Sequence, residues 1–343
     1  MGSVPVDVMR VGAGLANSGP RVSVVIRSYQ EERFIRRLFL GLQGQTMRNF
    51  EVILVDSGST DRTVEIAKSF DAIVRRIDKD EFSFGRSLNV GCAEAKGDIL
   101  VFASAHVYPT RTDWLETLVA PFDDPKVMVV YGKQRGDERT RFAENQIFKQ
   151  WYPDRSDWNQ ATPFCNNANC AVRRTIWQDL RYDEALTGLE DLAFAKEVLR
   201  RGGRVAYNAS AEIIHVHEET WDRIRNRYKR EAIALRQIEP TISFGLFDFV
   251  TLTLRNVMSD LAEARRQKCL LREWSGILLF RYNQFLGTYL GHASPPQLTR
   301  DIRNRFYFPP REKAADVPHF SRNVAASNSQ MRIDYESIEG RSQ

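Results

Sequence analysis

The sequence predicts an α/β fold, a mostly parallel sheet with helices on both faces, followed by a helical C-terminal region. Three observations carry this expectation. Between residues 22 and 131, short apolar runs alternate with helical patterns across short connections, which is how side-by-side strands covered by helices read in sequence. Residues 221–236 then hold six Arg/Lys against two acids, a net +4, and stretches rich in Phe, Leu and Trp follow at 243–262 and 270–290. The 343 residues, 43% of them hydrophobic, suffice for one large domain with an appendage or for two domains.

In order, an apolar strand is expected at 22–26. A helix follows at 31–45, with Phe34, Ile35, Leu38 and Leu42 on one face. A second strand at 52–55 leads to a helix opened by Thr60-Asp61 and carrying Val64 and Ala67. Strands at 73–77, 99–103 and 127–131 alternate with helices at 86–95 and 112–119. Residues 133–165 mix charges with Phe142, Phe148, Trp151, Tyr152 and Trp158 and show no clear order. A short strand is expected at 169–172 and a helix at 189–201, stopped by Gly202-Gly203. Two short strands, 204–208 and 212–216, complete the domain. The expected organisation is a flexible N-terminus (1–20), the α/β domain (21–235), the helical region (236–310) and a polar tail (311–343). In the tail, Ile338-Glu339-Gly340-Arg341 reads as a protease-recognition site added for expression, so both ends are set aside.

The net charge of +5 and pI of about 9.0 mildly favour anionic partners. Cys92, Cys165, Cys170 and Cys269 lack a zinc or redox spacing and read as reduced thiols of a cytoplasmic protein. Residues 1–20 show no signal-peptide pattern, and no run of 18 uncharged apolar residues predicts a spanning helix. No GxGxxG follows a strand and no GxxxxGK[ST] occurs, which argues against dinucleotide oxidoreductases and P-loop phosphotransferases.

Polar residues at strand tips point to a ligand crevice. The 99–103 strand delivers Ser104, Ala105 and His106, the last a metal-facing residue or a surface histidine in a loop. Ser28-Tyr29-Gln30-Glu31-Glu32 offers backbone donors and an aromatic face to a nucleotide base. It equally reads as a helix cap, Ser28 with Glu31 three residues on. In Asp56-Ser57-Gly58-Ser59-Thr60-Asp61 the first carboxylate suits a ribose or a base N–H, Gly58 turns the chain, and Ser59 or Thr60 caps the next helix. Arg86 at a helix start suits a diphosphate or is simply solvated. Glu190-Asp191 is either a dipole-favoured helix start or a site acid pair with Asp191 as general base. In an extended chain His215 and His217 share a face, roughly 6.5–7 Å apart, a spacing that metal ligands use.

Together these residues resemble family 2 glycosyltransferases. The resemblance rests on Val22-Ser23-Val24-Val25-Ile26, the Asp56 turn, the Gly97-Asp98 lead into the 99–103 strand, and Glu190-Asp191. It spans about residues 21–235. Tyr131-Gly132-Lys133-Gln134, Glu144 and Trp151-Tyr152-Pro153 look most like the rhamnosyltransferase-type branch. The resemblance implies the GT-A fold and an inverting transfer from a nucleotide-sugar donor to a saccharide or lipid-linked hydroxyl acceptor, in polysaccharide or glycoconjugate synthesis. Tyr29, Glu31 and Asp56 would grip the nucleoside, with Ser28, Ser57, Arg86, Ser104 and Ala105 completing the donor site. Asp191, beside Glu190, would be the base. His106 and His217 would hold a divalent metal, with His215 behind them.

One position departs from the family pattern: His106 stands where an aspartate of the DxD signature is usual. Imidazole favours Mn²⁺ over Mg²⁺ and leaves metal dependence open. Two other classes stay in play. One is a non-catalytic sugar-nucleotide-binding or scaffold protein. The other is a histidine-based metal hydrolase, which needs an acidic ligand that the sequence does not show. The basic 221–236 segment with the helices after it suggests peripheral contact with the inner face of a membrane, or else packing on the core or on a second subunit. Nucleic acid is not an expected partner, and a homo-oligomer is left open.

Overall fold

The computed structural model describes residues 21–294 and 331–340. Its strands are β1 (Val22–Ser28), β2 (Phe50–Asp56), β3 (Ile73–Arg76), β4 (Ile99–Ser104), β5 (Val107–Pro109), β6 (Val127–Arg135), β7 (Asp157–Gln160), β8 (Asn169–Arg173) and β9 (Arg204–His215). They form one sheet in the order β3-β2-β1-β4-β8-β6-β9-β5, with β7 also paired to β9. The expected mostly parallel sheet is in fact mixed. Pairs β1–β2, β1–β4, β2–β3 and β6–β9 are parallel. Pairs β4–β8, β6–β8, β5–β9 and β7–β9 are antiparallel.

Alternate side chains of each buried strand enter two cores. Val24, Ile26 and Leu54 meet α1 (Ile35–Gln43), α2 (Thr63–Ser69) and α4 (Trp114–Val119) on one face. Val25, Ile53 and Val55 meet α3 (Phe84–Glu94), α6 (Arg174–Leu180) and α7 (Glu190–Arg200) on the other. Helices therefore cover both faces, as expected. The first is shorter than the sequence suggested, because Gln30 turns the chain with φ 61° and residues 29–34 form a loop. Ser28 thus stays in β1 and forms no cap with Glu31. The second helix has Arg62, not Ser59 or Thr60, at its N-cap and no side-chain bond from it; Asp61 Oδ1 accepts from the Thr63 amide at 3.0 Å, while Ser59 and Thr60 bond Gln30.

Residues 133–165 are ordered by tertiary contacts that local pattern does not reveal. β6 continues to Arg135, and α5 (Phe142–Trp151) and β7 follow. The two strands expected at 204–208 and 212–216 are one, β9, whose register against β6 shifts between Gly132 and Gln134. Asn169 locks that irregularity. Its amide donates to the carbonyls of Lys133 and Ala211 at 3.1 and 2.8 Å and accepts from Trp114 Nε1 at 3.1 Å. A Cβ on residue 132 would fall inside the contact distance of the Ala211 carbonyl and the Asn169 amide. Gly132→Ala is therefore expected to destabilise the protein by about 1–3 kcal/mol, read as a lowered urea midpoint at unchanged slope.

Helices α8 (Trp221–Ile238), α9 (Leu246–Arg266) and α10 (Leu270–Ala293) form the C-terminal layer. The boundary drawn at 235/236 falls inside α8. The basic 221–236 segment is this helix, and it is not a free surface patch. Arg227 pairs with Glu144 and Glu219, both at 2.7 Å, and Arg236 donates to the carbonyls of His292 and Ser294. Residues of the tail also belong to the fold. Tyr335, on α11 (Tyr335–Gly340), donates to the Pro109 carbonyl at 2.8 Å, and Glu339 accepts two bonds from Arg37. Three residues of the Ile338-Glu339-Gly340-Arg341 motif thus lie in an element docked on α1 and β5, while Arg341 lies outside the described residues.

Candidate active site

The C-terminal tips of β1, β2 and β4 converge, because β1 lies between the other two with Arg27 opposite Ser104 and Ser28 opposite Asp56. Asp56 is fully buried. Its Oδ2 accepts from the amides of Gly58 and Ser59 at 3.1 and 3.0 Å, and Ser28 Oγ donates to Oδ1 at 3.3 Å. Gly58 makes this turn with φ 89°. Ser57 Oγ is buried without a partner among the described residues. Tyr29 receives a bond from Lys79 Nζ at 2.8 Å. These expected donor-side residues are therefore together.

His106 sits in the tight turn between β4 and β5, after Ser104 and Ala105. β5 then crosses to the far edge and pairs with β9, placing Val107 opposite His215, and the Val216 amide bonds the His106 carbonyl at 3.0 Å. This register assembles three histidines. His106 stacks on His215 with ring centroids 5.1 Å apart and lies 5.9 Å from His217, while His215 and His217 are 4.1 Å apart. His215, ranked behind the other two from sequence, is thus a full member of the cluster. His217 lies beyond the end of β9, so its ring closes on His215 instead of keeping the strand spacing.

Each ring is held by one partner. Glu31 Oε1 meets His106 Nδ1 at 3.0 Å, Gln134 Oε1 meets His215 Nδ1 at 2.8 Å, and Glu144 Oε1 meets His217 Nδ1 at 2.8 Å. Gln134 gives its amide hydrogens to Asn166 Oδ1, so its oxygen faces His215 and Nδ1 carries the proton. That leaves His215 Nε2 as a lone-pair atom, buried and without a partner among the described residues. Burial, with His217 and His106 beside it, holds His215 well below the usual imidazole pKa and keeps it neutral. Burial also acts against the charge on His106, but Glu31 outweighs it and raises that pKa. On Glu144 burial acts upward, and His217 and Arg227 hold the carboxyl down at about 2.

Nitrogens of all three rings lie within 4.8 Å of one another, so the set fits one soft divalent cation. The acid that a histidine-based hydrolase would need is present after all, at Glu144, but both His217 and Arg227 bond its Oε1.

Glu190 and Asp191 open α7 and are both buried. Arg27 donates to Glu190 Oε1 at 2.9 Å, and Asn167 Nδ2 reaches the same oxygen at 3.4 Å. The Asn167 amide bonds Asp191 Oδ2 at 3.1 Å, and the Leu192 amide bonds Oδ1 at 2.8 Å. Burial first, and then the neighbouring Glu190 charge, push the Asp191 carboxyl up to about 7. Asn166 bonds Gln134 and Asn167 bonds Asp191, so two adjacent residues tie the histidine cluster to the acid pair. Arg86 is not brought to this centre. Glu81 and Glu184 take its guanidinium at 2.9 and 3.5 Å. Arg27 is the cation at the acid pair, and its guanidinium also lies over the Phe84 ring.

The mixed sheet with helices on both faces is that of a GT-A-like fold. Residues 23–181, just under half of the chain, match the Glycosyl transferase family 2 profile. It is 25% identical over 213 residues to the O-antigen chain rhamnosyltransferase RfbN of Salmonella typhimurium, covering 58% of this chain and 68% of the relative. It is 27% identical over 194 residues to the O-antigen chain rhamnosyltransferase WbaN of Salmonella anatum, covering 53% and 61%. Against the mannosyltransferase PcManGT from Pyrobaculum calidifontis, solved with GDP-Man and Mn²⁺, the TM-score is 0.54 at 20% identity over 81% of this chain and 87% of that one, a likeness of fold.

Proposed function

We propose that the chain transfers a sugar, with inversion, from a nucleotide-sugar donor to a hydroxyl of a saccharide or lipid-linked acceptor in the cytoplasm. The observation that carries the reading is the hydrogen-bonded path from the unpartnered Nε2 of His215, through Gln134, Asn166 and Asn167, to the carboxyl of Asp191. A leaving-group side and a base side then share one cleft.

Ser28, Tyr29, Glu31, Asp56, Ser57, Ser104 and Ala105 line the donor side. Asp191 removes the proton of the acceptor hydroxyl as its oxygen attacks the anomeric carbon, and the nucleoside diphosphate departs from the opposite face. A carboxyl held near neutral suits this proton transfer. Glu190, fixed by Arg27, raises Asp191 and orients the start of α7. His106, His215 and His217 would hold the divalent metal, which supplies positive charge against the departing diphosphate. The rhamnosyltransferase relatives support a deoxyhexose or hexose donor. A scaffold protein would gain nothing from a buried acid raised to about 7.

The test is nucleotide release by the purified protein from UDP-, GDP-, TDP- and CMP-linked sugars, with Mn²⁺, with Mg²⁺ and with chelator. Release from one donor, faster with Mn²⁺ than with Mg²⁺, is the expected result. No release and no donor-induced thermal shift from any of them would overturn it.

A further inference from the structure

Among the described residues, the exposed large apolar side chains concentrate on the α9–α10 hairpin. Phe247, Leu254 and Met258 share one face of α9, and Leu271, Trp274 and Leu278 share one face of α10, by their spacings of three, four and seven. Phe247 is 78% exposed and Leu271 92%. These faces are not the ones the fold uses. α9 buries Val257, Asp260 and Ala264, and α10 buries Ile277, Phe280 and Arg281, with Arg281 and Asp260 in a buried ion pair.

The turn joining the helices adds charge. Residues 264–272 read Ala-Arg-Arg-Gln-Lys-Cys-Leu-Leu-Arg, with four cations and no acid. Arg266 and Arg272 pair with Glu263 and Glu273, whereas Arg265 and Lys268 pair with no carboxylate among the described residues. The most exposed leucine of the hairpin thus lies in this basic stretch.

We propose that this hairpin docks the protein on an anionic lipid bilayer, with Arg265, Lys268 and Arg272 meeting headgroups while Leu271 and Trp274 enter the boundary beneath them. Apolar stripes edged by Lys and Arg are what binds at the water–hydrocarbon boundary. No helix among the described residues is long and apolar enough to cross a membrane. Charge selects the occupant. A second copy would present the same basic turn on a chain of net charge +5, whereas an anionic bilayer answers both cations and stripes. The proposal rests on the hairpin alone, independent of the assigned base and metal ligands.

The full chain is sedimented with phosphatidylcholine vesicles, and with vesicles in which phosphatidylglycerol replaces about a third of the lipid. Binding to the anionic vesicles is expected, weakened by salt. It should fall at least tenfold in the double variant Leu271→Glu/Trp274→Glu and several-fold in Arg265→Gln/Lys268→Gln. Melting temperature should be unchanged, since these side chains are exposed. Nucleotide release without vesicles reports separately on the catalytic reading. Absence of binding to anionic vesicles would overturn the proposal, and so would equal binding by the Leu271/Trp274 variant. A wild-type dimer that the same substitutions dissolve would assign the face to a second copy instead.

Discussion

Asp191→Asn is expected to bind donor normally and to lose transfer by about three orders of magnitude or more, the scale at which general-base removal operates. The change is nearly isosteric, and an amide can keep one bond to the backbone donors at Asn167 and Leu192. It removes only the ability to take a proton. The wild-type carboxyl sits near 7 because it is buried and faces Glu190. In the wild type, kcat/KM should therefore climb as pH rises through about 7 and level off above, as the basic form fills. Stability should run the other way. Below about 4 the carboxyl is neutral in folded and unfolded chains alike. Between there and about 7 the unfolded chain ionises first, so the fold progressively loses stability as pH rises. Above pH 7, then, Asp191→Asn should be more stable than the wild type by about 1 kcal/mol or more, in proportion to the charge it no longer buries. Lost turnover with gained stability at pH 8 marks a functional acid. Lost turnover with lost stability, or near-normal turnover, would take Asp191 out of the reaction. Thermal melts at pH 5 and pH 8 beside donor titrations make the distinction.

The sequence made the first half of the fold legible because strands and helices there follow their own periods. β1, β2 and β4 each carry an apolar run, 24–26, 53–55 and 99–103, buried on both faces. Residues 133–165 were illegible because α5 and β7 owe their order to distant partners: Tyr131 and Tyr207 reach Gln160 and the Pro153 carbonyl across the chain. β9 looked like two strands because a register shift interrupts its alternation. In the site, Asp56, His106 and Asp191 could be read as polar residues at the ends of elements. Glu31 beside His106 apart, the side chains and amides that fix His215, His217 and Asp191 carry no local signal of that role. Gln134, Glu144 and Asn167 act across separations of 81, 73 and 24 residues. Arg27 did leave a signal, as the only charge in β1. Strand parity puts His215 and His217 on one face and gives no physical reason to rank them. The difference lies in their partners, which only the fold supplies.

His215→Ala should abolish the Mn²⁺-induced thermal shift and lower nucleotide release by about a hundredfold or more. The argument begins from burial. An imidazole nitrogen with no partner among the described residues, enclosed beside two other rings, is costly unless something accepts its lone pair. Gln134 fixes the proton on Nδ1, so Nε2 faces inward as a ligand. Gln134→Leu should therefore weaken Mn²⁺ about 10–100-fold, as loss of a ligand-orienting partner does, with all three rings still present. Imidazole nitrogen ligands bring no formal negative charge to offset the dehydration of Mg²⁺, so a softer ion should shift the melt more at equal concentration. Protons compete for the same lone pairs, and here the neighbours differ. His215 is already neutral, whereas Glu31 raises His106. On acidification the first loss of Mn²⁺ affinity should come from His106. Glu31→Gln removes the charge that favours the imidazolium and leaves burial to lower that pKa. Mn²⁺ binding should then persist to lower pH in this variant than in the wild type. A Mn²⁺ titration followed by thermal shift between pH 5 and 8 reads the displacement directly. Identical acid limbs would mean that His106 is no ligand, and a response of His215→Ala equal to the wild type would remove the metal from the cluster altogether.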